Sequence, residues 1–148
     1  MTLKEAHDVS INESIFIKPL EIKLFTGFVM DGMQHSSIAG LPEDTIVIAY
    51  EVIENIESEW RIYVREGSII DSRNYSGDFM ISPDYEYVLS VIKSNKDFPS
   101  SYTIDIGILG DGDNCVIEFN DMWAIGNYGV PNDIYLRMLK KRYFEIMS

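Results

Sequence analysis

The 148-residue sequence predicts an α+β fold, a mainly antiparallel sheet with packed helices. Three observations predict it. Strand-like segments outnumber helical ones, short turn-rich stretches such as Glu66-Gly67 and Gly110-Asp111-Gly112-Asp113 join neighbouring strands, and apolar residues recur at helical spacing only after Pro83 and after Pro131. With 46% hydrophobic and 24% charged residues the composition is that of a globular domain. No repeat, low-complexity tract or Pro/Gly/Ser linker divides the chain, so residues 1–12 read as a polar lead-in and 13–148 as a single domain.

Ile15-Phe16-Ile17 is a short buried strand ending at Lys18-Pro19, where proline removes a ladder donor. Leu24–Met30 forms a second segment. After the turn residues Gly32, Gly40 and Pro42, the β-branched run Thr45–Ala49 predicts a strand covered on both faces, leading into Tyr50-Glu51-Val52-Ile53. Trp60–Val64 and Ser68–Ser72 flank Glu66-Gly67 as a hairpin, with a bulge at the glycine able to alter its register. Ser82 as N-cap with Pro83 at the first helical position opens a helix carrying Tyr85, Val88, Leu89 and Ile92. A last helix begins near Pro131, with Ile134, Tyr135, Met138, Leu139, Tyr143 and Ile146 on one side and Arg137, Lys140, Lys141 and Arg142 toward its C-terminal end.

A net charge of -12 argues against nucleic acid as the main partner, because a polyanion meets a repulsive long-range field. A nucleotide whose phosphates are neutralised by a divalent ion is not excluded. The lone Cys115 permits no intramolecular disulfide and reads as a small thiol in a strand. No apolar run is long enough for a signal peptide or a membrane span, so a cytoplasmic location is expected, host cytoplasm if the chain is phage-encoded. His7 and His35 have no evident acid-base partners in sequence.

The most informative segment is Tyr102–Asn120. If Gly110–Asp113 form the loop, Leu109 pairs with Asn114 and counting outward sets Asp105 opposite Glu118. One face is then Ile104, Ile106, Ile108, Cys115, Ile117 and Phe119; the other carries Thr103, Asp105, Gly107, Val116, Glu118 and Asn120. Opposed β-carbons lie about 4.5–5.5 Å apart, so the two carboxylates repel unless a positive charge intervenes. A hard divalent ion is one candidate, with the Asn120 amide as a neutral oxygen ligand and Gly107 leaving room in front. A merely solvated acidic face is the other. Asp111, Asp113 and Asn114 lack the ligand spacing of an EF-hand and read as turn.

Asp105 followed thirteen residues later by Glu118-Phe119-Asn120 resembles the metal-binding signature of the ATP-grasp superfamily. Phe16-Ile17-Lys18-Pro19 is similar to its phosphate-binding lysine strand, and Ile48–Ile53 to its adenine hinge. Lys18-Pro19, Lys23 with Phe25-Thr26-Gly27, Glu59-Trp60-Arg61, Glu118–Asp121 and Tyr128-Gly129 resemble a compact ATP-grasp family common in phages and bacteria. The resemblance implies an ATP-grasp-like fold lacking a full N-terminal domain, with ATP and Mg as cofactors. It implies phosphate contacts from Lys18 and Lys23, adenine contacts from Glu51, Val52 and Ile53, and ribose hydrogen bonds to Glu59. It further implies Asp105, Glu118 and Asn120 as metal ligands.

Arg61 would stabilise the charge of a transferring phosphoryl group, with Lys18 beside the phosphates and Arg73 as a further candidate on the neighbouring strand. The implied activity is an ATP-dependent carboxylate-amine ligase joining small-molecule or peptide substrates through an acyl phosphate. The alternative is a non-catalytic nucleotide-binding or host-interaction protein of the same fold, with a protein partner or a second copy.

Overall fold

The computed structural model describes residues 1–21, 24–94 and 97–148. The chain divides into two compact units, Met1–Ile53 and Glu54–Ser148.

The first unit opens with a helix, α1 (Leu3–Ser10), within the segment read as a polar lead-in. Its start is a capping box. The Glu5 N–H donates to the Thr2 hydroxyl while the Thr2 N–H donates to the Glu5 carboxylate, satisfying two otherwise orphaned donors. Strands β1 (Ile15–Pro19), β2 (Phe28–Met30) and β3 (Val47–Glu51) form an antiparallel sheet of order β2-β1-β3. Leu3 and Ala6 of α1 pack on Ile15, Ile17, Met30 and Val47, so alternate strand residues supply one apolar face. β3 is covered on one face only, contrary to expectation: Ile48 and Tyr50 are exposed, because no second layer among the described residues of this unit covers them.

The second unit is a four-stranded antiparallel sheet of order β5-β4-β6-β7. β4 (Ile56–Arg65) and β5 (Ser68–Gly77) turn at Glu66-Gly67, both at positive φ, and run further than the alternating apolar pattern predicts. Their register shifts between Glu59 and Trp60 and between Tyr63 and Val64, not at the glycine. α2 (Tyr85–Ser94) begins two residues beyond the expected start, because the Asp84 carboxylate accepts the Glu86 N–H and takes over the capping role assigned to Ser82. Val88 and Ile92 of α2 pack against Ile62, Val64, Ile104 and Ile106.

The opposite sheet face meets α3 (Asn132–Met147), where Met138, Met122 and Val130 pack around Tyr63. Ile134, Tyr135 and Leu139 of α3 join that cluster. Tyr143 and Ile146, expected on the same side, are 41% and 49% exposed. The end of α3 is tied down by ions instead: Arg142 reaches Asp121 at 2.6 Å, and Glu145 accepts from Ser100. No helix among the described residues is long and apolar enough to cross a membrane.

β6 (Ser101–Leu109) and β7 (Asn114–Asp121) pair in two registers. Near the turn Ile108 faces Asn114, Gly107 faces Cys115 and Ile106 faces Val116, one residue off the expected pairing. Ile117 is then skipped, and Asp105 faces Glu118 after all. Two face assignments are thereby corrected. Val116 packs with the apolar core, whereas Cys115 and Ile117 lean over Gly107, where an added β-carbon would lie 3.0 Å from the cysteine sulfur. The space expected in front of Gly107 is therefore filled.

Candidate functional site

Strand alternation on β4 turns Trp60, Ile62 and Val64 to the core and Glu59, Arg61 and Tyr63 to the other face. Cross-strand pairing then builds a transverse row. Arg73 on β5 faces Arg61, Arg61 faces Asp105 on β6, and Asp105 faces Glu118 on β7. Two cations sit beside two anions, one on each strand.

At the centre Arg61 donates from Nε to one Asp105 oxygen at 2.8 Å and from Nη2 to the other at 2.7 Å. Both residues are buried, at 5% and 3% exposure. Burial works against the guanidinium charge, but the Asp105 hydrogen bonds outweigh it and hold the Arg61 pKa above its ordinary value. The positive charge expected beside Asp105 is thus already supplied by protein. Tyr128 covers the guanidinium at 4.5 Å from its ring centre, and Tyr75 lies 5.7 Å away, the two rings stacked 5.0 Å apart.

The loop carrying Tyr128 is anchored from three directions. Tyr63 Oη donates to the Gly126 carbonyl and accepts the Tyr128 N–H, the Asn127 side chain bonds Val130 twice, and Tyr135 donates to the Ile125 carbonyl.

At the cationic end Arg73 pairs with Asp71 at 2.8 Å and keeps a side chain 37% exposed, with its buried Nε unpartnered among the described residues. At the anionic end Glu118 is half-buried. Beside it, Asn120 faces Thr103, and the Asn120 amide nitrogen and Thr103 hydroxyl are buried without hydrogen-bond partners among the described residues. Orphaned polar atoms of this kind call for a ligand or water. Asp105, Glu118 and Asn120 offer an oxygen set that suits a hard cation, Asp105 sharing its carboxylate with Arg61. Among the described residues no group of three or more His, Cys, Asp or Glu side chains could hold a metal. Such a set fits magnesium only when phosphate oxygens and water complete the shell.

Glu59 is half-buried and accepts the Tyr75 hydroxyl at 2.9 Å. On the first unit, Lys18 is half-buried with its ammonium 5.7 Å from the Phe16 ring centre and 5.8 Å from that of Tyr50. Glu51 closes β3 opposite Ile15, followed by half-buried Val52 and exposed Ile53. Lys23 lies outside the described residues. His7 and His35 line a cleft of about 820 Å³ between α1 and residues 34–43; His35 stacks on Phe28 and accepts the Ser37 N–H. Tyr75, Tyr63 and Thr103 are site-face residues that sequence reasoning missed. Tyr128 was visible only within the Tyr128-Gly129 motif.

Residues 1–138 match the model of an ATP-grasp domain family, the second family of its clade. No curated protein matches the chain. Among solved structures, the ATP-grasp ligase PsnB complexed with minimal precursor, Mg and ADP is 14% identical with a TM-score of 0.57, over 94% of this chain and 50% of that one. A RimK domain protein ATP-grasp from Sphaerobacter thermophilus is 15% identical, TM-score 0.54, over 95% and 55%. N5-carboxyaminoimidazole synthetase from Staphylococcus aureus is 14% identical, TM-score 0.51, over 81% and 37%. The chain therefore spans about half, or less, of the length of these structures, and at such identities the likeness is one of fold.

Proposed function

Since the chain belongs to the ATP-grasp domain family that its first 138 residues match, we propose that it binds Mg-ATP and acts as an ATP-dependent carboxylate-amine ligase through an acyl phosphate. The observation that carries this reading is the transverse row Arg73-Arg61-Asp105-Glu118, cationic at one end and anionic at the other. Such a row suits a ligand that is itself a polyanion joined to a cation.

In this reading Glu118 and Asn120 hold magnesium together with a shared oxygen of Asp105, and the ion neutralises and orients the phosphates. Arg73 and Arg61 offer N–H donors to phosphoryl oxygens as charge builds there. Arg61 enters already aligned, because Asp105 and the Tyr128 ring restrict its guanidinium. Glu59 accepts from a ribose hydroxyl. Lys18 and Lys23 remain proposed phosphate contacts, and Glu51, Val52 and Ile53 proposed adenine contacts, on the strength of the family resemblance. The substrates proposed are small-molecule or peptide carboxylates and amines, and a cytoplasmic setting accompanies the proposal.

A second reading, a non-catalytic nucleotide-binding module, is favoured by one observation: both Asp105 oxygens are already engaged by Arg61. Calorimetric titration with Mg-ATP tests the shared premise. Binding that is lost in Glu118→Ala and Asn120→Ala supports it, and no binding by folded wild type removes both readings. Acceptor-dependent ADP release across amino acids and peptides separates ligase from binder.

A further inference from the structure

We propose that Tyr75 is a positioning residue of the nucleotide site, its hydroxyl setting the Glu59 carboxylate for a ribose hydroxyl while its ring helps cover the Arg61 guanidinium. This rests on the nucleotide reading above. Tyr75 reaches the charged face because β5 is irregular there: Asn74 faces Trp60 and Ser76 faces Glu59, so Tyr75 is skipped in the ladder with β4.

A buried polar clamp holds the irregularity. Asn74 donates to the Ser58 hydroxyl and to the carbonyls of Glu59 and Ser76. Ser58, wholly buried, also accepts from the Trp60 indole and donates to the Asp78 carbonyl. With its backbone so fixed, Tyr75 donates to Glu59 Oε2 at 2.9 Å and stacks on Tyr128. Burial, reinforced by the charge of Asp105 and the bond to Glu59, pushes the phenol well above its ordinary pKa, so it remains a donor. One bond holds one carboxylate oxygen. Oε1 carries no hydrogen bond among the described residues and is the atom offered to a ligand.

Holding a carboxylate before the ligand arrives removes the rotamer entropy that binding otherwise costs. Tyr75 therefore affects discrimination between ribose and deoxyribose nucleotides, a readout that general support of the sheet would leave alone.

The test is calorimetric titration of the full chain with Mg-ATP, Mg-2′-deoxy-ATP and Mg-3′-deoxy-ATP, for wild type, Tyr75→Phe, Glu59→Gln and the double variant. The expected result is that wild type prefers ATP over at least one deoxy form. Tyr75→Phe, which keeps the ring, should weaken ATP about tenfold and narrow that preference as Glu59→Gln does, with no further narrowing in the double variant. Equal losses for ATP and both deoxy forms, an unchanged preference, or a wild type with no preference would each overturn the proposal while leaving nucleotide binding intact. A Tyr75→Phe chain that no longer folds would overturn it too, by making the role structural. Folded wild type that binds no nucleotide would instead overturn the function proposed above, and this inference with it.

Discussion

Arg61 and Asp105 meet through two parallel N–H···O bonds with side chains only 7% and 4% exposed, which makes their pairing a condition of the fold as well as of the site. Removing one partner strands the other's charge away from water. Asp105→Ala and Arg61→Ala should each lower stability by about 3–5 kcal/mol in urea denaturation. Arg61→Met combined with Asp105→Leu should recover most of that loss, because no charge is then left alone. Single variants as stable as wild type would show that water reaches the pair.

Metal binding should depend on the nucleotide. Two carboxylates and an amide, one carboxylate already shared with Arg61, make a poor site until phosphate oxygens join it. Titration of Mg²⁺ alone should show affinity at least roughly tenfold below that in the presence of ATP, and EDTA should abolish the ATP signal. Equal Mg²⁺ affinity with and without nucleotide would contradict this.

Gly77 lies at φ +72, where an added β-carbon would overlap the Glu57 carbonyl oxygen. Its own strand cannot retreat, since Ser58 faces Gly77 and the Asp78 N–H bonds that same carbonyl. Gly77→Ala should cost more than about 2 kcal/mol by thermal or chemical melting. Gly112, at φ +89 but with open space around it, should tolerate alanine better, and the reverse order would refute the steric account.

Acid should loosen the end of α3. Hydrogen bonds from Arg142 hold Asp121 below its ordinary 3.8, and those from Ser100 hold Glu145 below its ordinary 4.5. Because the folded-state values are the lower ones, this stability is complete above pH about 4.5 and is lost as pH falls through the depressed values. Melting curves from pH 7 to 2 should show a smaller acid-dependent drop in Arg142→Met than in wild type. Identical acid limbs would remove Arg142 from the explanation.

The opposition of Asp105 and Glu118 was legible because period-two alternation and a turn-rich loop set a symmetric count. The pairing holds, yet the pairs between it and the turn differ, since long-range packing of Val116 beside Ile106 displaces Ile117 from the ladder. The Arg61–Asp105 bond spans 44 residues and required knowing that β4 lies beside β6, which no local pattern states. Tyr75 was hidden for a similar reason, its direction being set by a bulge. α1 was a different case. Thr2-Leu3-Lys4-Glu5 carries the capping-box pattern, and the polar appearance of residues 1–12 masked it.

Ile117 is the odd residue that brings β7 into step with its partner at Glu118. Deleting one residue from a strand ordinarily inverts everything downstream, carrying inward side chains out and outward ones in. Here, deleting Ile117 would join Val116 directly to Glu118, and the ladder would run from Asn114 to Asp121 with each existing partner retained. The position of the acidic side chains is thus buffered against the loss of this one hydrophobic residue. The same excision at Val116 would leave Ile117 to inherit its place against Ile106, making the choice of which neighbour to remove a matter of side-chain shape.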